Sequence, residues 1–336
     1  MSAPLAWAHG GPPLRAKIRL EPEDFVVEEV LGYSADGEGE HVLLEIRKRD
    51  ANTAWVATEL ARFAAVPAMA VSYVGRKDRH AITTQAFSVH LPGRPDPDWQ
   101  SLGLPGIEIL TAQRHRRKLH RGALDGNRFR LRLRAVQGDR EAAERVLAVL
   151  RRDGAPNYFG EQRFGREQRN LAAAEAMFAG RKVRRSERGL LLSAARSALF
   201  NTVLDARVAA GSWNQGLEGE VWALAGSRAW FGPQALDDEL AARLQIFDIH
   251  PSGPLWGRGE NPTVAAVRAL ETERISAQAV LAKGLEDAGL RQERRALRLD
   301  LRELHWQWQD DTLELAMSLP AGAYATTVVR ELAVTE

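Results

Sequence analysis

The chain has 336 residues, 45% hydrophobic and 27% charged, the balance of a globular protein of one large domain or two. It contains no cysteine, which excludes disulfides, thiolate metal sites, iron–sulfur clusters and a cysteine nucleophile. The net charge is only +2, yet nine Arg or Lys face the single acid Asp125 between Arg114 and Arg134, an excess that suits either a polyanion or a plain solvated surface.

No run approaches the roughly 18–20 apolar residues of a membrane span. Residues 1–13 lack the positive region and compact apolar stretch of a signal peptide, so the expected location is the cytoplasm. Glu40–Arg47 predicts a half-buried strand with Val42, Leu44 and Ile46 on one face. Thr53 is the expected N-cap of a helix reaching Phe63, followed by a short apolar stretch at Val71–Val74. Gln85–Leu91 and Ile107–Leu110 are further strands, separated by a Pro- and Gly-rich loop at Pro92–Pro105. At Arg128–Arg134, Phe129, Leu131 and Leu133 alternate with four arginines, which predicts a strand with one apolar and one cationic face. A helix follows from Gly138–Asp139 to Leu150.

Composition changes after Asp153. Residues 166–290 read as mostly helix, with candidates at Gly189–Phe200 and Thr263–Gly284 and with breaks at Gly211–Glu220 and Pro251–Asn261. Strands return at Ala296–Leu301, His305–Trp308 and Thr312–Leu319, before a closing helix from Ala323. Sheet-forming ends around a helical middle predict an α+β protein with a domain inserted into a split sheet domain. The expected bounds are 1–153 and 299–336 for the two parts of the sheet domain and 154–298 for the insertion.

Phosphate-loop, dinucleotide, His-Glu-x-x-His and Gly-x-Ser-x-Gly motifs are all missing. Gly75-Arg-Lys-Asp-Arg-His80 places a lone acid, Asp78, among Arg76, Lys77 and Arg79 after a turn that Gly75 permits. Cationic neighbours favour its ionised form, which suits a nucleophile or an oriented base; by chemistry alone, a surface acid that balances its neighbours is the plainer reading. Phe129 shares the parity of Leu131 and Leu133 and reads as core, although its place at the strand's start also permits a pocket-facing ring. The segment Arg114–Arg121 is the leading phosphate-binding candidate.

Five ordered stretches resemble the TruD family of tRNA pseudouridine synthases. They are Glu23-Asp-Phe-Val-Val-Glu-Glu29, Val74–Val89 with its Gly-Arg-Lys-Asp core, Arg117–Phe129 ending in Gly-Asn-Arg-Phe, Pro156-Asn-Tyr-Phe-Gly-Glu-Gln-Arg-Phe-Gly165, and Pro320-Ala-Gly-Ala-Tyr-Ala-Thr326. The resemblance implies a split pseudouridine synthase domain with a mixed or antiparallel sheet, carrying a mainly helical α/β insertion. It implies isomerisation of uridine to pseudouridine, typically at position 13 of tRNA(Glu), with no cofactor and no metal. The family's catalytic Asp falls on Asp78 and the preceding Lys on Lys77, the candidate for orienting the carboxylate. The family's Asn and Phe fall on Asn127 and Phe129, the latter packing against the target base. Arg117, Lys118, Arg121 and Arg128 complete the expected tRNA-binding set, and Arg114 and Arg116 are further candidates for its backbone. A monomer without an obligate protein partner is expected. A non-catalytic RNA-binding protein would keep the basic and aromatic residues without needing Asp78, and an RNA hydrolase would need an acid pair or metal cluster.

Overall fold

A computed structural model describes residues 5–336, apart from the side chains of Arg121, Arg166 and Ser186. The first elements are β1 (Leu14–Ile18), β2 (Phe25–Leu31), β3 (His41–Arg49), α1 (Thr53–Phe63), β4 (Val71–Tyr73), β5 (Ile82–His90), β6 (Ile107–His115) and β7 (Leu124–Gly138). The middle of the chain forms α2 (Arg140–Asp153), β8 (Ala155–Pro156), α3 (Arg169–Phe178), α4 (Arg185–Ala209), β9 (Trp222–Leu224), β10 (Trp230–Phe231), α5 (Asp238–Gln245), β11 (Ile249–Leu255), α6 (Ala265–Ser276) and α7 (Ala279–Asp287). The last elements are β12 (Glu293–Ala296), β13 (Arg298–Leu299), β14 (His305–Gln309), β15 (Thr312–Pro320), α8 (Ala325–Leu332) and β16 (Ala333–Thr335).

These elements form two compact units. One comprises residues 14–139, 303–322 and 334–336; the other comprises the described residues up to Pro13 together with 140–302 and 323–333. The helices α2 and α8 therefore belong with the helical middle of the chain.

The first unit is built on a mixed sheet in the order β14-β15-β7-β2-β5-β3-β6, with β1 joining β7 and β4 joining β5. β2 and β5 run parallel, whereas β7 is antiparallel to β1, β2 and β15. The two ends of the sequence meet in the ladder that pairs Leu133 with Leu313 and Asn127 with Leu319. Alternation buries one side of β3, where Val42, Leu44 and Ile46 are inaccessible and pack with Val56 and Leu60 of α1 and Phe87 of β5. A second cluster gathers Leu43, Ala86, Leu119 and Ala123. The helix α1 starts at Thr53, but its N-cap is Asn52, whose side chain accepts the Ala54 N–H. That frees the Thr53 hydroxyl for other work.

The second unit contains the 25-residue helix α4, which buries Leu191, Ala195, Leu199 and Val203 against α3, α6 and α7. The expected helix Thr263–Gly284 is two helices, broken at Ala277–Gln278. The expected break at Pro251–Asn261 is also corrected, because Pro251–Leu255 lies in the buried strand β11. Ile249–Pro251 pairs with β9 and Ser252–Leu255 with β12. Each half of the strand thus has an unpaired side where a missing proline N–H is tolerated. The order β10-β9-β11-β12 makes this a four-stranded sheet within the helical unit.

Candidate active site

The loop between β4 and β5 carries Gly75, Lys77 and Asp78, and buried side chains from three elements grip its main chain. Thr53, the first residue of α1, accepts the Lys77 N–H at 3.1 Å and donates to Gln85 Oε1 at 2.9 Å. Gln85, inward-facing on β5, donates in turn to the Gly75 carbonyl at 3.3 Å. Lys48 Nζ, fully buried at the end of β3, donates to the carbonyls of Ala51 at 2.7 Å and Asp78 at 3.1 Å. Gly75 itself does not adopt a left-handed backbone, and a Cβ there would meet nothing. The turn rests on these hydrogen bonds and not on glycine's conformational freedom.

With its main chain held, Asp78 presents a carboxylate that is 38% exposed and accepts from Arg19 Nη2 at 2.9 Å. This corrects the expectation that the adjacent cations surround it. Lys77 Nζ turns instead to Glu29 Oε1 at 2.7 Å and donates to Asn127 Oδ1 at 2.9 Å. Arg79 lies 3.7 Å from Asp50, which is also 3.0 Å from His80 Nδ1. Lys77 and Asp78 thus turn to different partners. Arg19 takes the place expected of Lys77, and it does so from a left-handed backbone with φ of 61°. Such strain in a non-glycine residue persists only where the surroundings hold it.

Asn127 and Phe129 reach the same region from β7. The ladder sets Asn127 beside Glu29 and Phe129 beside Val27, so Lys77 meets two side chains presented by paired strands. Glu29 is further fixed because its other carboxylate oxygen accepts the Ala86 N–H at 3.0 Å. Leu131 and Leu133 are wholly buried, whereas Phe129 is half-buried where that apolar stripe runs out. Its ring meets Phe25 edge to face, 6.3 Å between centroids, and the Arg19 guanidinium lies 4.1 Å from the Phe25 centroid. Asp78, Arg19, Phe25 and Phe129 thus form one contact series.

The basic candidates separate into two groups. Arg117, Lys118 and Arg128 are exposed, as is Arg130, while the Arg121 side chain lies outside the described residues. Arg114 is engaged by Asp96 at 2.7 Å and by the carbonyls of Gly39 and Leu91, and Arg116 by Glu38. Two arginines of β7 are also paired, Arg132 with Glu314 at 2.8 Å and Arg134 with Asp24 at 2.7 Å. A cavity of about 350 Å³ opens beside Glu29 and Gln85, lined also by Tyr33, Glu45, Gln113 and Arg128. Among the described residues, no group of three or more His, Asp or Glu is gathered as a metal ion would need, and no helix is long and apolar enough to cross a membrane.

Sequence reasoning did not single out Arg19 or Lys48 as site residues, and it met Phe25 and Glu29 only as part of a motif. For Lys48 a signal existed: it is the next position on the face of Val42, Leu44 and Ile46, and a lysine on an apolar strand face is unusual. Arg19 carries no comparable signal.

Comparison with known proteins gives a consistent result. The sequence matches the family tRNA pseudouridine synthase D (TruD) over residues 6–180 and 174–332. It is 51% identical to the tRNA pseudouridine synthase D of Xanthomonas axonopodis pv. citri, covering 97% of this chain and 93% of that protein. The protein of the same name from Nitrosococcus oceani is also 51% identical, covering 98% and 94%. The crystal structure of a Methanosarcina mazei protein described as a TruD superposes with a TM-score of 0.74 at 21% identity, covering 97% and 95% of the two chains. That likeness shows the fold.

Proposed function

The chain belongs to the tRNA pseudouridine synthase D family of isomerases, and on that premise we propose that it converts uridine 13 of tRNA(Glu) to pseudouridine with Asp78 as its catalytic carboxylate. The observation that carries this reading is convergence. Two contact series, Asp78–Arg19–Phe25–Phe129 and Lys77 with Glu29 and Asn127, join residues of two separate motifs.

The reaction breaks the N1–C1′ bond of uridine, rotates the base and joins C5 to C1′. One proton leaves C5 and one is gained at N1, so atoms balance with no redox change and no need for a cofactor. Asp78 acts on the ribose, either by attacking C1′ or by removing a C2′ proton towards a glycal. Its exposure gives a substrate access, and Arg19 fixes its direction. Lys77 acts as a positioning residue that ties the loop to Glu29 and Asn127. Phe129, half-buried, supplies a face against which the detached uracil stacks and is kept from diffusing away.

A uridine inside folded tRNA must be flipped out, at a cost of a few kcal/mol. Arg117, Lys118, Arg121 and Arg128 are proposed to offset this through contacts to the RNA backbone. Residues 1–153 and 299–336 are proposed as the catalytic domain and residues 154–298 as its insertion, in a cytoplasmic monomer.

The deciding measurement is tritium release from tRNA(Glu) transcript labelled at uracil C5, with wild type and Asp78→Asn. Release by wild type alone, stoichiometric with one uridine and abolished when position 13 is cytidine, is expected. Release by both proteins removes Asp78 from the chemistry. Tight binding without release by either, across other tRNAs as well, favours a non-catalytic RNA-binding protein.

A further inference from the structure

We propose that Lys48 is a positioning residue for the isomerisation: its buried ammonium holds the main chain of Asp78 from beneath and so sets where the carboxylate meets the ribose. This rests on the reading of Asp78 as the catalytic group. Lys48 is wholly inaccessible, on the face of β3 that otherwise carries Val42, Leu44 and Ile46. Its ladder partners are Thr83 and Ile107, so its stem is fixed on both sides. Two of its donors go to main-chain carbonyls, those of Ala51 and Asp78, and among the described residues no carboxylate forms an ion pair with it.

A cation buried with only neutral acceptors is expensive. Packing alone would be served better by an apolar side chain of the same length. What such a side chain lacks is a donor for the Asp78 carbonyl. The arrangement also differs from that of Arg19, which touches the carboxylate itself and whose side chain is 30% exposed. Lys48 acts on the peptide, Arg19 on the side chain, and together they fix both ends of the residue.

Charge around Lys48 makes its role sensitive to pH. Burial pushes its ammonium down to about 8. The carboxylates of Asp78, Asp50 and Glu29 act to hold the proton, while Lys77 opposes them. Asp50 is itself shared with His80 and Arg79, and Glu29 with Lys77. The flanking Arg47 and Arg49 are paired outward with Glu108 and Glu23. As pH rises, Lys48 loses its charge and with it the charge-assisted bond to Asp78, which is about twice as strong as a neutral one. Turnover therefore declines on the alkaline side.

The test is single-turnover tritium release at saturating tRNA between about pH 6.5 and about pH 9, for wild type, Lys48→Met, Lys48→Arg and Asp78→Asn. Wild type is expected to show an alkaline limb with a midpoint near 8. Lys48→Met is expected to lose about a hundredfold in rate near pH 7, while its Kd for tRNA stays within about threefold. Lys48→Arg, which keeps its charge throughout, is expected to lose the alkaline limb. A flat wild-type profile, a wild-type rate in Lys48→Met, or an unchanged limb in Lys48→Arg each overturns the proposal. Should the Met variant fail to fold, the wild-type and Arg profiles still decide. Turnover surviving in Asp78→Asn overturns the reading of Asp78 itself, whereas loss there with full activity in Lys48→Met overturns only the role of Lys48.

Discussion

Lys77 and Glu29 are nearly inaccessible, at 12% and 1% side-chain exposure, and stand 2.7 Å apart. Removing one partner of a buried pair leaves the other charge uncompensated, at a typical cost of about 3–5 kcal/mol. Lys77→Met is therefore expected to lower unfolding stability by about 3 kcal/mol. Adding Glu29→Gln should recover most of that, because the amide oxygen can still accept the Ala86 N–H. Turnover should stay low in the double variant, since nothing then ties the loop to Asn127. Urea unfolding beside single-turnover kinetics checks both parts; recovery of rate together with stability would reduce Lys77 to a structural role. At this scale the sequence was informative about Asp78, a lone acid in a basic loop, and silent about its partner. Arg19 is 59 positions away, and no local pattern announces a contact across that distance. Lys48 was legible in principle, as a cation standing on an apolar face.

The strand β7 links these residues to the sheet, and a single glycine governs how closely its neighbour approaches. A Cβ on Gly126 would sit 2.6 Å from the Leu319 carbonyl oxygen of β15, so the motif Gly126-Asn127-Arg128-Phe129 begins at a forced close contact. Gly126→Ala must push β15 away just where Asn127 and Phe129 are presented. Overpacking of this kind costs about 1–3 kcal/mol, and a fall in kcat is expected with little change in tRNA affinity. Differential scanning calorimetry and single-turnover assays would test it, and an unchanged kcat would show that the site tolerates the shift. The alternation that builds β7 was readable at Arg128–Arg134, although the strand extends from Leu124 to Gly138, because polar residues at its ends are held by ladders and not by burial. The same limit hid β11. Its prolines look like a break until two different partners, each pairing with half of the strand, make them acceptable.

Over the whole molecule, a net charge of +2 conceals cations with very different tasks. Composition marks a change after Asp153, whereas the helical unit takes in residues 140–302, the described residues up to Pro13 and residues 323–333, because packing and not composition assigns the chain ends. The pairing of β15 with β7 was not visible either, because register between distant strands is set by ladders that composition does not encode. Charge follows the same rule. From sequence, Arg114 to Arg134 forms one basic block; in the fold, Arg114, Arg116, Arg132 and Arg134 are matched by Asp96, Glu38, Glu314 and Asp24. Only cations that still displace counterions from RNA contribute to the salt dependence of binding, at about 0.7–0.9 per phosphate contact. Replacing both Arg117 and Lys118 by Gln is therefore expected to weaken tRNA binding and to reduce the slope of log K against log salt by between about 1 and 2. Replacing Arg132 and Glu314 together by Gln, which removes a cation already neutralised, should leave the slope unchanged. Filter binding over a salt series compares the two directly. Equal slopes in all three proteins would mean that RNA passes elsewhere, and a smaller slope only in the Arg132 and Glu314 variant would mean that the pair opens to meet it.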